Sequence, residues 1–561
     1  MSRRESAKLS GVNTEKPFRG LAGLLSAGLG LAVGELLAGL FNGVRSPVIS
    51  VGDRVVDGVP AGVKKSAINL FGTHDKAALL IGIVVIVGLG AVLVGMGSAA
   101  SMRIAIVGVG LFVAVGSVFA VTGRLGRGRD VIPVLGAGLV TLAALYGLVR
   151  RPFAAQQKLA PTTPPGKVID AVIGENPPQG GMRVDRRQFV VLGSGTALAS
   201  IATAALGRRL QGNEEAATLR NEVKLPSPAS PLSPGPSSTL PGASTPPAAT
   251  AVRFPVAGAA QVDVPGITPF FVPNKNFYRI DTALVVPRID VRSWSLTIDG
   301  MVDRPLNFTL DDLLKREVVE HDCTLMCVSN EIGGDLVGNA RWLGVRLADV
   351  LREAGVKSGA NQVFARSVDD FTAGFPVELA LDGREALLAF GMNGEPLPFS
   401  HGYPVRLVVP GIYGYVSAVK WLKRITLTTF EADEGYWIPR GWSALGPIKT
   451  CSRIDVPGRS TGQVREGRQA IAGIAWAQHV GISKVEVQVD DEPWQVAELA
   501  ADGGIDTWRQ WKLAWDATAG THSISVRATD ATGALQIEER TGVAPDGATG
   551  WHTIQVAVVR A

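Results

Sequence analysis

Hydrophobic and polar positions divide the 561 residues into two regions that follow different rules. Four segments among the first 150 residues, roughly 19–42, 77–98, 102–122 and 130–149, are nearly all apolar or small. Each is long enough for a helix across a bilayer, which takes about 20 mostly apolar residues. A fifth run, Phe189–Leu206, is shorter and rich in Ala, Gly, Ser and Thr. Residues 43–72 hold a weaker apolar pattern broken by Arg54, Asp57, Lys64 and Lys65, which reads as an interfacial or extramembrane loop, with a further span as the alternative. Residues 1–207 are thus expected to form an all-α membrane region of about five helices.

Alternation replaces these long runs further on. Residues 208–262 are dominated by Pro, Ser, Ala and Thr, as in the stretch Pro226–Pro236, and read as an extended tether that buries too little to order itself. Residues 263–446 mix strand and helix. Trp294–Gly300, Val405–Pro410 and Lys423–Thr429 alternate as strands, and Thr309 caps a helix start. Residues 447–561 carry short alternating strands at Val485–Val489, Gln495–Leu499, Trp511–Trp515, His522–Ala528 and Thr553–Val558. Their even spacing predicts an immunoglobulin-like β-sandwich. It shows no cluster of titratable residues, so its expected role is structural or in assembly.

Charge orients the membrane region. Arg3, Arg4 and Lys8 precede the first run, and Arg150, Arg151, Lys158, Lys167, Arg183, Arg186 and Arg187 follow the fourth. Both groups belong on the cytoplasmic side, which requires an even number of spans between them. Arg124, Arg127 and Arg129 then fall outside, against the rule. The fifth run carries the chain out, leaving the globular part extracytoplasmic on a multi-pass cell-membrane anchor. Its approach, Val184-Asp-Arg186-Arg187-Gln-Phe189, has two readings: a positive-inside pair, or an internal twin-arginine export signal. No proposed span holds a histidine, which argues against a membrane haem. Glu35 is the one acidic residue in a span interior, so an ion pathway has little support. The net charge of +5 comes largely from residues flanking apolar runs, which leaves no nucleic-acid patch.

Two stretches carry candidate chemistry. His321-Asp-Cys-Thr-Leu-Met-Cys327 precedes a glycine-rich run and then Trp342–Leu351, which reads as an amphipathic helix with Cys327 on the loop leading to it. Cys327 is a buried thiol, half of a disulfide, or a ligand to a soft metal. With three cysteines a disulfide framework is excluded. Cys323 reads as a buried thiol, and its pairing with Cys451 stays open. The second stretch, His401 to Lys420, sets His401, Arg406 and Lys420 around a Gly/Pro turn. These groups form either an anion cradle or a surface salt-bridge network.

The segments Thr324–Asn330, Asn339–Gly344, Met392–Pro398, His401–Gly411 and Val419–Leu422 together resemble the sulfite oxidase family of molybdenum enzymes. The resemblance runs in order over residues 265–561, and the membrane region is similar to the anchor of bacterial membrane-bound members. It implies an α+β molybdopterin domain over 263–446 and a dimerisation domain over 447–561, hence a homodimer. It also implies a molybdenum held by the dithiolene of a single pyranopterin, with Cys327 as the protein thiolate. Phe271, Asn274 and Lys275 fall on the early pterin-contacting segment, and His401, Arg406, Ser417 and Lys420 on phosphate- and pterin-binding positions. Tyr436 falls near the substrate-pocket tyrosine. Where sulfite-oxidising members place arginines, this chain has Pro273, Glu331 and Ile332. An anionic substrate wants guanidinium partners, so these positions do not favour sulfite, and the substrate stays open.

The expectation is therefore a membrane-tethered, extracytoplasmic molybdenum oxidoreductase performing two-electron oxygen-atom transfer, either oxidising a small-molecule substrate or reducing an S- or N-oxide. Without a haem domain, electrons pass through a separate partner. The alternative is a cofactor-less, membrane-anchored binding or assembly protein on the same scaffold.

Overall fold

The apolar runs of the first region are helices. In the computed structural model the described residues are 3–41, 44–59, 75–98, 101–123, 128–154, 186–211, 214–228, 260–458 and 464–560. They divide into two units, Met1–Glu214 and Glu215–Ala561. Lys158, Lys167, Arg183, Val184 and residues 60–74 and 229–259 lie outside the described residues, as do the expectations placed on them.

Among the described residues of the first unit four helices are long and apolar enough to cross a membrane: Lys16–Leu40, Ala78–Gly97, Met102–Thr122 and Gly128–Val149. Val190–Leu206 is a shorter apolar helix. Small residues let these helices touch at the backbone. A Cβ on Gly23 would stand 2.1 Å from the carbonyl oxygen of Ala91, so only glycine fits that crossing. One expectation is corrected here. Pro47–Gly58 is a helix rather than a loop, capped by the Ser46 hydroxyl, which accepts from the Ile49 N–H at 3.3 Å. Arg45 fixes it by pairing with Asp53 at 2.8 Å and Asp130 at 3.2 Å.

The second unit begins inside the expected tether. Glu214–Glu222 is a helix whose Arg220 Nε donates to the Leu397 carbonyl at 2.7 Å, while its guanidinium also reaches the Pro396 carbonyl and Glu395. Val223 and Leu225 pack on the core that follows. The apolar residues between prolines give this part of the tether something to bury.

Two sheets build the middle of the chain. One runs Leu306–Phe308, Leu296–Gly300, Leu422–Thr428, Gln362–Ser367, Thr372–Pro376, with Leu296–Gly300 and Leu422–Thr428 parallel. The other runs Val319–Met326, Val337–Arg346, Leu387–Met392, Glu395–Pro396 and is antiparallel, with Arg406–Val408 also paired to Leu387–Met392. Ile298, Val345, Leu388 and Ile425, all fully or nearly fully buried, belong to one core shared by both.

The helix expected over Trp342–Leu351 is half strand. Val337–Arg346 continues through Trp342 to Arg346, and the helix is Leu347–Ala354. Two ladders outweigh the helical periodicity, because Trp342 pairs with His321 on one side and Met392 on the other. Gly344 permits this, since a Cβ there would meet the Leu388 carbonyl oxygen at 2.4 Å.

The C-terminal strands form two sheets, Cys451–Val456, Gly467–Trp476, Arg509–Ala517, Glu498–Leu499 and Val464–Arg465, His552–Val559, Gly520–Asp530, Ile482–Val489, Gln495–Val496. Ile471 and Trp511 from one sheet and Val485, Val487 and Val526 from the other share an apolar core. Contrary to expectation, this part does contribute a titratable cluster. Asp506 accepts from His321 Nε2 at 2.9 Å and from His479 Nδ1 at 3.1 Å, across the seam with the Val319–Met326 strand.

Candidate functional site

Cys327 is the first residue beyond the Val319–Met326 strand, in the loop that turns back into Val337–Arg346. Asn330 pins that loop: its N–H donates to the Cys327 carbonyl at 3.0 Å, and its side-chain oxygen accepts from the Leu336 N–H at 2.8 Å. The Ser329 N–H stands 3.4 Å from Cys327 Sγ. Burial raises the thiol pKa, partly offset by that N–H and by Lys420. The free thiol is therefore protonated, and a soft metal would displace the proton. Cys323 and Cys451 are also buried and free, so no disulfide joins them.

Cys327 opens onto a cavity of about 110 Å³, which His401, Arg406 and Lys420 also line. These three gather around Gly402, whose φ of +110° suits glycine and where a Cβ would lie 3.1 Å from both Arg406 and Lys420. Lys420 Nζ is 2.9 Å from Asp281, and burial draws its pKa down to about 8. His401 Nε2 is 2.8 Å from the Asn274 carbonyl oxygen, which only accepts, so Nε2 carries the proton. Burial, with repulsion from Arg406 and Lys420, brings the His401 pKa to about 4. His401 is thus neutral, and the cradle has two cations.

Arg406 is different. It is 5% exposed, its guanidinium lies 5.0 Å over the Trp342 ring, and it donates to the carbonyls of His401 at 3.2 Å and Leu407 at 3.3 Å. Burial lowers its pKa to about 10. Among the described residues no carboxylate forms an ion pair with it. An unpaired buried cation costs several kcal/mol, roughly, unless an anion joins it. No group of three or more His, Cys, Asp or Glu side chains able to hold a metal occurs among the described residues. A metal beside Cys327 would need most of its ligands from a cofactor, and an anionic, sulfur-bearing cofactor fits these residues.

Aromatic rings also line the cavity. Among them are Tyr415, Trp437, Trp442 and Phe371, with Tyr415 and Trp442 centroids 5.8 Å apart and Trp437 and Trp442 6.2 Å apart. Tyr278, stacked on Phe277 at 5.2 Å, lines the cavity as well. None of these rings was singled out from sequence, although Tyr278 follows Asn274 and Lys275 closely. Trp437 and Trp442 lie in turns with no periodic pattern.

The other motif residues stand outside the cavity lining. Asn274 holds His401 through its carbonyl, and its own amide donates to Glu395 at 2.6 Å and to the Met392 carbonyl at 3.1 Å. Phe271 lies beneath Arg341, 5.1 Å from the guanidinium, and Lys275 is exposed. The Ser417 hydroxyl donates to the Tyr413 carbonyl at 3.0 Å, within its own short helical turn. Tyr436 is buried behind Phe371 and Trp437, at 5.9 and 5.0 Å. Pro273, Glu331 and Ile332 also lie outside the lining, with Pro273 and Glu331 exposed.

Cys327, His401, Arg406 and Lys420 all lie inside the region that a family model matches. Residues 283–437 match the family described as oxidoreductase molybdopterin binding domain. The chain is 30% identical to mitochondrial sulfite oxidase of Mus musculus over 344 residues, covering 52% of this chain and 62% of that protein. It is 36% identical to nitrate reductase [NADH] 1 of Oryza sativa subsp. japonica over 178 residues, covering 27% of this chain and 19% of the other. The chain therefore spans less than two thirds of the length of these relatives. Sulfane dehydrogenase SoxCD from Paracoccus pantotrophus aligns with 51% of this chain and 81% of its own, at 25% identity and a TM-score of 0.46. Over its molybdopterin-binding domain the chain is thus similar to the sulfite oxidase family of molybdopterin-dependent oxidoreductases.

Proposed function

We propose that the cavity holds molybdenum on a single pyranopterin and that the protein carries out two-electron oxygen-atom transfer outside the cytoplasm, tethered by its apolar helices. The observation that carries this reading is Arg406, a buried guanidinium in the same cavity as Cys327 with no carboxylate partner among the described residues. When bound, the cofactor supplies the oxygen-transfer and redox chemistry. Cys327 would give the metal its one protein thiolate. Arg406 and Lys420 would hold the phosphate, and neutral His401 would meet the pterin as a hydrogen-bonding group oriented by Asn274. Phe271, Lys275, Ser417 and Tyr436 then support the site from behind. A cofactor-less scaffold is disfavoured, because it leaves the Arg406 charge uncompensated.

The remaining parts of the reading follow the chain. Arg186 and Arg187 would serve as an export signal for a domain folded around its cofactor. The C-terminal sandwich, of immunoglobulin-like connectivity, would pair two copies, and electrons would pass to or from a separate carrier.

Molybdenum analysis of the full chain, produced in a host that makes the cofactor, is the test. Stoichiometric metal in the native protein and none in Cys327→Ser, with both folded by circular dichroism, is the expected outcome. Metal-free native protein, or full turnover in Cys327→Ser, would refute the reading.

A further inference from the structure

The C-terminal sheets and their loops hold Cys327 from both sides. On the strand that leads to it, the Thr324 N–H donates to the Asp506 carbonyl at 2.9 Å, and the Thr324 hydroxyl accepts from the Trp508 N–H at 2.8 Å. Trp476, almost fully buried, donates its indole N–H to the Met326 sulfur at 3.1 Å. Met326 is the residue before Cys327.

Beyond Cys327 the loop passes through Gly333 and Gly334, and a second set of contacts meets it there. Arg453, 8% exposed in the strand Cys451–Val456, donates from Nη1 to the Gly334 carbonyl at 2.7 Å. Its Nε donates to Asp455 and its Nη2 to the Thr268 hydroxyl, both at 2.7 Å, and Asp455 accepts from the Thr268 N–H at 3.0 Å. Asp455 thus balances the charge and fixes the guanidinium plane, which leaves one arm of the fork aimed at a single carbonyl. His552 closes the other edge. Its Nδ1 accepts from the Ile454 N–H at 3.0 Å, and a Cβ on Gly333 would stand 2.4 Å from its Nε2. With φ at +80°, Gly333 has neither the space nor the backbone for a side chain.

The loop is packed tightly enough to pass a displacement on. The Gly334 N–H donates to the Glu331 carbonyl at 2.8 Å, and a Cβ on Gly334 would meet the Asn330 side-chain oxygen at 2.8 Å. Asn330 ties the loop to Cys327 and Leu336, and Ser329, whose N–H stands 3.4 Å from Cys327 Sγ, is its neighbour. Groups bonded to a metal ligand set its orientation and how much charge it gives the metal.

We propose that Arg453 is a positioning residue for the Cys327 thiolate, acting through the Gly334 carbonyl, so that the C-terminal domain sets the donor strength of the metal's protein ligand. This rests on the cofactor assignment above. Simple domain packing would affect all buried thiols alike, and two of them serve as controls: Cys323 in the strand before Cys327, and Cys451 in the strand of Arg453.

The first arm of the test uses the detergent-solubilised full chain made without cofactor and checked as folded by circular dichroism. Iodoacetamide labelling mapped by mass spectrometry gives a rate for each cysteine. Arg453→Met should speed labelling of Cys327 about tenfold, as expected for the loss of one buried bond from a charged donor, and leave Cys323 and Cys451 unchanged. Where Arg453→Met does not fold, Arg453→Lys carries the test. It keeps a charge beside Asp455 without the fork, and should speed Cys327 labelling about threefold. The second arm compares metal-loaded proteins at equal molybdenum content, where the sulfur-to-metal charge-transfer absorption of the variant should be shifted from the native one. Faster labelling of all three cysteines together means general loosening and overturns the proposal. So does an unchanged Cys327 rate or an unshifted absorption, either of which leaves the cofactor assignment standing. Native protein without molybdenum overturns the cofactor assignment, and with it the metal role given to Arg453.

Discussion

Arg406 lies with its guanidinium 5.0 Å over the ring of Trp342, held by carbonyls on one side and open to the Cys327 cavity on the other. The cation–π contact and the two carbonyl bonds soften the cost of burial without neutralising the charge. Arg406→Met should therefore act in opposite directions on the two forms of the protein. Cofactor-free protein should melt at the same temperature or higher, because a buried unpaired charge is removed. Purified enzyme should lose most of its molybdenum, by about tenfold or more, since charge-assisted bonds to phosphate are worth several kcal/mol together, roughly. Thermal melts of both forms and metal analysis check this. A lower melting temperature in the cofactor-free variant would show that Arg406 is already satisfied by the protein.

His401 titrates in a way that has a definite sign. Burial holds its folded pKa at about 4, against 6.5 for an ordinary imidazole. Between those values the unfolded chain binds the proton and the folded chain does not, so stability falls as pH drops from 6.5 towards 4. The shift corresponds to about 3 kcal/mol in full. Urea midpoints at pH 7 and pH 5 should drop further in the native protein than in His401→Asn. Equal drops would mean that His401 does not stay neutral. His552, also near 4 through burial, contributes a parallel loss that the variant leaves in place.

Asp506 behaves in the reverse manner. Burial pushes its carboxyl up, but the imidazoles of His321 and His479 overcome this and hold it well below the usual range. Burial likewise opposes the charge on His321, and Asp506 outweighs it, leaving that pKa raised. The Asp506 contribution is present above 3.8 and fades below it, while that of His321 is full below 6.5 and is lost as pH rises through its raised value. Asp506→Asn should cost about 3–5 kcal/mol near pH 6, because it leaves a buried imidazole without its carboxylate. A double-mutant cycle with His321→Gln measures the coupling, and a coupling near zero would show the pair to be incidental to the seam.

How far the chain discloses itself depends on the range of the forces involved. The four long apolar helices follow from composition, because each is an unbroken apolar run of the length a bilayer crossing takes. The alternating strands of the last 100 or so residues follow from a period of two. Cys327, His401, Arg406 and Lys420 come together in one cavity from two motifs, each short enough to read. What escaped is set by contacts between distant segments. Trp342 to Arg346 is strand because of ladders to Val319–Met326 and Leu387–Met392. Asp506 matters through His321, 185 residues away. Tyr415, Trp437 and Trp442 meet only once turns without periodicity have folded.

Arg220 ties the first helix of the second unit, Glu214–Glu222, to the turn at Glu395–Leu397. Its Nε donates to the Leu397 carbonyl at 2.7 Å, its guanidinium also reaches the Pro396 carbonyl, and it pairs with Glu395 at 3.3 Å. Glu395 in turn accepts from Asn274, whose carbonyl orients His401. The exposed ion pair adds little, but carbonyls left without a donor cost about 1–2 kcal/mol. Arg220→Ala should therefore free residues 214–228 for proteolysis several-fold faster, at a modest loss of unit stability. Arg220→Lys should recover only part of this, because one ammonium does not reproduce the fork that meets two successive carbonyls. Limited proteolysis followed by mass spectrometry reads the cut sites. An unchanged cutting rate in Arg220→Ala would mean that Val223 and Leu225, packed on the core, hold the segment on their own.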